Sequence, residues 1–162
     1  MWLWAIVVAV ALQRLCELVL ARRNTVRLLA QGGREHGASH YPAIVALHAA
    51  WLACLIVFLP PQTQPNFYWL ALLLLMQLAR FWILVSLGAR WTTRIIVLPG
   101  APLVARGPYR WMRHPNYAVV VVEIVALPMV FGAMWIAIVF SILNAAVLFW
   151  RIREEDRALG RG

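Results

Sequence analysis

The polar stretch that ends at Tyr117 contains residue types that could bind or transfer a charged group. It includes Tyr109, His114 and Asn116, interleaved with arginines, in a chain that is otherwise mostly apolar. Such side chains donate and accept hydrogen bonds, and histidine also exchanges protons near neutral pH. Prolines and glycines within residues 94–116 exclude a regular helix, so a loop is predicted there. Two interpretations stay open: a functional site, or a basic anchor with aromatic residues of a membrane interface.

A second polar stretch, residues 151–159, directly follows the last apolar segment. Arg151 and Glu155 are four residues apart, which places them on one face of a helix. A carboxylate there could hold a cationic or hydroxyl-rich ligand, beside an arginine that holds an anion. A solvated helix end with local ion pairs is the alternative, and the residues alone favour neither.

Further polar side chains interrupt the apolar segments. Charges inside a bilayer are costly and usually face a bundle interior or a cavity. Arg14 and Glu17 are spaced to pair on one helix face, and we interpret that pair as structural. Arg80 and Glu123 have no partner nearby in sequence, so they either pair across helices or line a polar pocket. His48 is expected to be an interhelical hydrogen bonder, and contact of His48 or Glu123 with a substrate stays an alternative. The full set comprises Gln13, Arg14, Glu17, His48, Gln77, Arg80, Glu123 and Asn144.

The elements that must position these residues are predicted to be membrane helices. Hydrophobic residues make up 64% of the 162 residues, well above the roughly half found in soluble domains. We therefore predict one all-α domain over residues 1–162, an integral membrane bundle of five transmembrane helices. Loop 94–116 is expected to be cytoplasmic or re-entrant, and residues 151–159 to extend the last helix. Gly132 should form a tight turn between the last two helices. The predicted helices cover residues 2–21, 42–59, 67–88, 117–131 and 133–150.

The arginines predict the orientation of the bundle. All fifteen basic residues are arginine, and thirteen of them follow the first, third or fifth segment. The connection at 60–66 and the turn at Gly132 carry no charge. The positive-inside rule then places the N-terminus outside, and the C-terminus and the polar loop in the cytoplasm, in a plasma or inner membrane. The thirteen are Arg22, Arg23, Arg27, Arg34, Arg90, Arg94, Arg106, Arg110, Arg113, Arg151, Arg153, Arg157 and Arg161.

The net charge of +9 does not indicate a nucleic-acid partner. The arginines sit between apolar runs rather than on a separate soluble face, so topology explains them better. Cys16 and Cys54 both lie within apolar segments and show no metal-ligand spacing. No metal site is predicted.

Taken together, the polar motifs resemble those of the isoprenylcysteine carboxyl methyltransferase family of membrane enzymes. The resemblance is strongest over about the last 65 residues, and the first half resembles a small bacterial branch of that family. Members of the branch resemble partners of type III polyketide synthases that methylate long-chain alkylpyrones or alkylresorcinols. The matching motifs are Gly107-Pro108-Tyr109, Arg113-His114-Pro115-Asn116-Tyr117 and Arg151-Ile152 with Glu155, then His40-Tyr41-Pro42, Val45-Ala46-Leu47-His48, Thr93-Arg94-Ile95 and Leu98-Pro99-Gly100.

The resemblance implies S-adenosylmethionine as the cofactor. Arg151 would orient the acceptor oxygen, and Arg151 and Glu155 would form the catalytic pair. Ala118 stands where the family often has glycine, which would narrow the cofactor pocket. Asp156 replaces a second glutamate and leaves the primary acid intact. The implied cofactor contacts are Ala101, Pro102, Leu103, Val104, Tyr109, His114, Pro115, Asn116, Tyr117 and Glu155.

Three functions stay open at this level. The first is a membrane O-methyltransferase for a lipophilic small molecule taken from the bilayer, either an alkylpyrone or alkylresorcinol or, alternatively, an isoprenylcysteine. The second is an NADPH-dependent reductase of the sterol reductase type, which shares the Arg-His-Pro motif but usually has more spans. The third is a scaffold whose arginines only bind anionic membrane lipids.

Overall fold

The structure, a computed structural model, describes residues 2–160, and most of them lie in five α-helices. Arg161, one of the arginines used to predict the orientation, lies outside the described residues. Two three-residue strands, β1 and β2, pair antiparallel, so the strictly all-α prediction is corrected to a nearly all-helical fold with a small sheet. The elements are α1 (Trp2–Ala30), β1 (Arg34–His36), α2 (Tyr41–Phe58), α3 (Phe67–Leu87), β2 (Ile95–Val97), α4 (Pro115–Val130) and α5 (Met134–Ala158).

Within residues 2–160, four helical stretches are long and apolar enough to cross a membrane. The apolar helix α4 has 16 residues, which is about 24 Å at 1.5 Å per residue, against a hydrocarbon core of roughly 30 Å. The helical membrane protein is confirmed, whereas the count of five spans, the re-entrant loop and the single domain stay predictions. The four stretches are Trp2–Ala30, Ala38–Phe58, Phe67–Arg90 and Met134–Ala158.

Helix α1 runs beyond its predicted end, whereas α5 extends past its apolar segment as predicted. Helix α1 continues to Ala30 rather than stopping at residue 21, because arginine is a good helix former and no glycine intervenes before Gly32. Gly32 has a φ of 88°, a left-handed conformation that commonly ends helices. Helix α5 continues to Ala158, so Arg151 and Glu155 lie on helical backbone as predicted. The apolar pattern therefore marked the membrane part of each helix, not its end.

Residues at the helix ends fix where α3 and α4 begin. The Asn66 side chain accepts hydrogen bonds from the backbone nitrogens of Tyr68 and Trp69, at 3.0 and 3.3 Å, and so caps α3. Pro115 takes the first position of α4, where a missing N–H costs nothing. The tight turn between α4 and α5 is confirmed, with Gly132 at a φ of 69°.

Helix α4 packs between α3 and α5 and is the most enclosed helix of the bundle. Its Leu127 joins Trp51 and Leu55 of α2 and Ile136 of α5 in a core where each of these side chains is at most 1% exposed. Burying such large apolar side chains among their neighbours orders the helix firmly. Glu123 and the start of α4 are thereby held in fixed positions.

The loop after α3 is tied to the N-terminal half of the chain. Asn24, near the end of α1, is buried and donates to the carbonyl oxygens of Gly88 and Trp91 at 3.2 and 2.9 Å. Residues 94–116 contain β2 and a short 3-10 turn, Gly107–Arg110, rather than irregular backbone alone. This sheet joins the loop to the segment after α1, and the Asn24 side chain holds the residues that lead into the loop.

Candidate active site

Two cavities meet at the start of α4. The first, about 440 Å³, is lined mainly by the loop after α3, and we call it the loop cavity. The second, about 400 Å³, lies between helices and is called the helix cavity. Both volumes fall in the range of roughly 300–1,000 Å³ typical of small-molecule sites. The residues common to both form a shared wall: Trp91, Thr92, Asn116, Tyr117 and Arg151.

Nine of the ten implied cofactor contacts line the loop cavity. The exception is Pro115, which is buried at the first position of α4 and shapes the helix start instead. Arg90, Trp91 and Thr92, which sequence reasoning did not single out, also line this cavity. The nine are Ala101, Pro102, Leu103, Val104, Tyr109, His114, Asn116, Tyr117 and Glu155.

The Tyr117 hydroxyl group joins the two predicted catalytic residues. It donates a short hydrogen bond to Glu155 Oε2 and accepts one from Arg151 Nε at 2.9 Å. The Arg151 guanidinium carbon also lies 5.7 Å from the centre of the Tyr117 ring. Because the hydroxyl group donates its proton to the carboxylate and accepts a hydrogen bond from the cation, it fixes the orientation of both neighbouring side chains.

His114 forms a second face of the same site. Its ring stacks on Tyr117, with centroids 5.0 Å apart and planes at 12°. Its Nδ1 lies 3.8 Å from Glu155 Oε1, and its Nε2 lies 3.9 Å from Asp156 Oδ1. Both separations exceed hydrogen-bond length, so Glu155 Oε1 keeps its capacity to accept a hydrogen bond from a ligand.

Several buried polar atoms around the loop cavity lack partners. Within residues 2–160, Asn116 Oδ1 and Trp91 Nε1 line this cavity, are buried and form no hydrogen bond. Buried polar atoms in proteins are nearly always satisfied, so such atoms indicate a ligand or bound water. The acceptors Asn116 Oδ1 and Glu155 Oε1 and the donor Trp91 Nε1 fit a ligand that carries an amine, hydroxyl groups and acceptor atoms. S-adenosylmethionine has these groups, so the residues present fit the cofactor that the resemblance implies.

Tyr109 contributes a neutral hydrogen-bond donor. Burial raises the pKa of Tyr109 well above its ordinary value, and the nearby Glu155 charge raises it further. The phenol therefore stays protonated at neutral pH and can donate into the loop cavity.

Gly107 holds the turn that carries Tyr109 against α3. Its φ is 58°, and a Cβ atom there would lie 2.0 Å from Ser86 Oγ. The neighbouring Arg106 Nε donates to the Ser86 carbonyl oxygen at 2.7 Å. Only glycine fits this close approach, which explains the Gly-Pro-Tyr motif in physical terms.

The helix cavity has mostly apolar walls from α1, α2 and α5. Leu15 and Val45 line it and are also 57% and 41% exposed, so the cavity opens between α1 and α2 on the outer surface of the bundle. His48 lines it too, with its Nδ1 2.8 Å from the Ile44 carbonyl oxygen. Because Ile44 lies one turn earlier in the same helix, α2, the prediction of an interhelical hydrogen bond was wrong for this contact. Because a carbonyl only accepts, this bond places the proton on Nδ1 and leaves Nε2 as an acceptor.

The polar residues inside α1, α3 and α4 form one connected group, which we call the ionic cluster: Arg14, Glu17, Arg80 and Glu123. Arg14 donates to Glu17 at 3.2 Å and to Glu123 at 2.6 Å. Arg80 donates to Glu17 at 3.1 Å and makes a shorter contact with Glu123. The predicted Arg14–Glu17 pair and the pairing of Arg80 with Glu123 are both confirmed.

Glu123 lines neither cavity, although the other three members of the ionic cluster line the helix cavity. Its Oε1 accepts from Gln77 at 2.8 Å and from Arg80 Nε at 3.2 Å, and its Oε2 accepts from Arg14 and Arg80. With both oxygens engaged, Glu123 is placed to hold α4 to α1 and α3 and not to meet a substrate. His48, the other candidate substrate contact, does face a cavity.

Sequence reasoning gave no site role to His40, which the structure places beside Arg151. Its Nε2 lies 3.3 Å from Arg151 Nη1, and the residue is 1% exposed. More than one hundred residues separate the two in sequence. The only signal was the motif His40-Tyr41-Pro42, which indicated a family branch but no chemistry.

The fold and site together define a helical membrane protein that can hold a polar ligand and an apolar ligand on two sides of one wall. A family model described as the isoprenylcysteine carboxyl methyltransferase (ICMT) family matches residues 69–161. The chain belongs to this family, which indicates a membrane methyltransferase. The matched region contains the loop cavity motifs but not His40, His48 or Arg14.

Two relatives extend the similarity over nearly the whole chain. The chain is 44% identical over 160 residues to "Uncharacterized protein YpbQ" of Bacillus subtilis (strain 168), which covers 96% of this chain and 95% of the relative. It is 24% identical over 151 residues to an "Uncharacterized protein" of Haemophilus influenzae (strain ATCC 51907 / DSM 11121 / KW20 / Rd), covering 90% and 88%. No solved structure shows a significant match.

Proposed function

We propose that this protein is an S-adenosylmethionine-dependent O-methyltransferase whose acceptor is a lipophilic small molecule, a long-chain alkylpyrone or alkylresorcinol. One observation supports this most directly: the more polar loop cavity and the mostly apolar helix cavity share a wall that contains Asn116, Tyr117 and Arg151. A transferase for a polar donor and a lipid acceptor needs such an arrangement. Methyl transfer is an in-line displacement, so alignment across the wall is the main requirement.

The loop cavity supplies groups that match the donor. Glu155 Oε1 and Asn116 Oδ1 can accept hydrogen bonds from an amine or ribose hydroxyls. The backbone of residues 101–104 lines the opposite side. When bound, the cofactor supplies a methyl group on a sulfonium centre, whose carbon–sulfur bond breaks as the new carbon–oxygen bond forms.

Arg151 is assigned to the acceptor. Its side chain is the cation of the shared wall, and it can hold an oxygen at the wall while the alkyl tail lies among the helices. A phenol or enol acceptor loses its proton to solvent before or during transfer, and a guanidinium stabilises the resulting anion. A carboxylate acceptor, as in isoprenylcysteine, needs no proton removal.

The proposed orientation follows from the same geometry. Arg151 and Glu155 lie in the C-terminal part of α5, at the end of the bundle where most arginines cluster. We assign that end to the cytoplasm, with the N-terminus outside, in a plasma or inner membrane. The cofactor would then enter from the cytoplasm and the acceptor from the bilayer, with a type III polyketide synthase as the enzyme that supplies the acceptor.

The test uses purified protein in detergent, labelled S-adenosylmethionine and a panel of alkylpyrones, alkylresorcinols and prenylcysteines. We expect label in alkylpyrones or alkylresorcinols. Transfer to prenylcysteines alone would replace the acceptor in our proposal. Binding of NADPH instead of the methyl donor would support a reductase, and binding of neither would support a lipid-binding scaffold.

Two variants test the assigned roles. Glu155→Ala should abolish cofactor binding in calorimetry, whereas Glu154→Ala, which removes the ion pair with the exposed Arg157 at a position that does not line the loop cavity, should leave it unchanged. Arg151→Ala should spoil transfer far more than cofactor binding. An equal loss of both would contradict its role at the acceptor.

A further inference from the structure

We infer that His40 is a positioning residue that holds the Arg151 guanidinium in its transfer geometry. The inference rests on the proposed function, because it assigns a second supporting contact to the acceptor-binding arginine. His40 lies in the N-terminal half, outside residues 69–161, and lines neither cavity. It therefore acts through Arg151 and not on a ligand.

The geometry shows a guanidinium held at two different nitrogens. Arg151 Nε donates to the Tyr117 hydroxyl oxygen at 2.9 Å, and Nη1 lies 3.3 Å from His40 Nε2. One hydrogen bond leaves the planar group free to rotate about that contact, whereas two define its plane. Among residues 2–160, Nη2 donates to no acceptor, which leaves it available at the shared wall.

The protonation of His40 follows from its partner. A guanidinium has donors only, so His40 Nε2 must accept and its proton must sit on Nδ1. Nδ1 is buried beside the Gly37 backbone, and within residues 2–160 it completes no hydrogen bond of good geometry. The ring therefore sits in the tautomer whose Nε2 accepts from Arg151.

The surroundings of His40 keep its ring in place. The residue ends a short 3-10 turn, Ala38–His40, and its backbone nitrogen donates to the Gly37 carbonyl oxygen at 3.3 Å. Gly37 has a φ of 58°, and a Cβ there would lie 2.9 Å from His40 Nδ1. On the other side, the edge of Trp150 packs with ring centroids 5.9 Å apart. The imidazole is therefore enclosed between a turn and the residue that precedes Arg151.

The test compares His40→Leu with His40→Gln. Leucine fills similar space but cannot accept a hydrogen bond, whereas the glutamine side-chain oxygen can. For His40→Leu we expect kcat/KM for the acceptor to fall by about 10- to 100-fold, the effect of losing one hydrogen bond to a charged group. Cofactor affinity should not change, and His40→Gln should recover most of the activity. A merely structural role would lower cofactor affinity and thermal stability together, without rescue by glutamine.

A double-mutant cycle separates action through Arg151 from any other effect. In an Arg151→Ala background, His40→Leu should cause no further loss of transfer. A further loss as large as in the wild type would overturn the inference. If the wild type transfers no methyl group at all, the proposed function fails. The coupling between positions 40 and 151 is then measured from thermal unfolding in detergent, where additive effects overturn this inference independently.

Discussion

The ionic cluster and the shared wall are both rich in polar side chains, but they differ in how completely these are paired. In the cluster, two arginines and two glutamates neutralise each other, and every charged group has an opposite partner within 3.2 Å, although Arg14 Nε itself forms no hydrogen bond within residues 2–160. At the wall, Asn116 Oδ1 and Trp91 Nε1 are buried and form no hydrogen bond within the described residues. Complete pairing of charge indicates a structural tie, whereas incomplete pairing beside a cavity indicates a ligand site.

Glu123 provides the strongest test of the contrast between the ionic cluster and the shared wall. The change Glu123→Gln removes one of two negative charges from the cluster and leaves Arg14 and Arg80 with a single carboxylate between them. Breaking a buried ion pair on one side costs roughly 3–5 kcal/mol, because the remaining charge stays buried and unpaired. We therefore expect a large drop in the thermal unfolding midpoint in detergent.

Arg110→Ala is the matched control for loss of a charge, since Arg110 is exposed. It should leave the midpoint nearly unchanged. If Glu123→Gln unfolds at the wild-type temperature but no longer transfers methyl groups, the cluster belongs to the catalytic machinery and the distinction drawn above is wrong.

Gly107 tests how strongly the loop cavity depends on its turn. Alanine at this position meets Ser86 Oγ and adopts a left-handed φ, which together should cost roughly 2–4 kcal/mol. The expected result is lower thermal stability and weaker cofactor binding, because Tyr109 moves with the turn. Gly100→Ala is the control: its φ is 75° but no atom lies within 4 Å of the added Cβ, so only the backbone cost applies. Equal effects of the two changes would contradict the close-approach argument.

Tyr117→Phe should separate activity from stability at the wall. It removes the hydroxyl that links Arg151 and Glu155 but keeps the ring stacked on His114. Loss of one such link costs about 1 kcal/mol of stability, while transfer should fall by about tenfold or more because both neighbours lose their orientation. Tyr68→Phe, at an 89% exposed tyrosine, should change neither quantity. A stable variant with full transfer would remove Tyr117 from the proposed mechanism.

The helices were predictable because hydrophobicity and helix length are coupled in a membrane protein. The apolar segments at 42–59 and 67–88 agree with α2 and α3 to within a residue at each end. The full length of α1 was not predictable from hydrophobicity, because its last turns are polar and leave the apolar part of the bundle. Strands β1 and β2 were missed because three residues each are too few to show an alternating pattern.

The residues of the candidate site also differ in how far the sequence could predict them. Tyr117, Arg151 and Glu155 could be chosen as candidates from the sequence because they belong to local motifs at fixed spacing, and the structure brings their side chains into contact. The Arg80–Glu123 pair was partly predictable, since charges within apolar segments must find each other. His40 was not, because its contact with Arg151 joins two ends of the chain and exists only once α2 and α5 have packed. Pairing across the fold is set by tertiary structure, which a single sequence does not display.

The smallest expected effect is at Glu35, which undergoes the same chemical change as Glu123 in a different setting. Glu35→Gln removes the 2.6 Å contact with Arg94. The side chain of Arg94 is 38% exposed and that of Glu35 is 25% exposed. Solvent screens such a pair, so the change should cost about 1 kcal/mol or less, and still less at high salt. Arg94 keeps its place over the Tyr41 ring, at 4.4 Å, so the variant isolates the charge. The measurement is the thermal midpoint in detergent at low and high salt beside Glu123→Gln. If the two glutamate changes cost the same, burial of the cluster does not explain its contribution to stability.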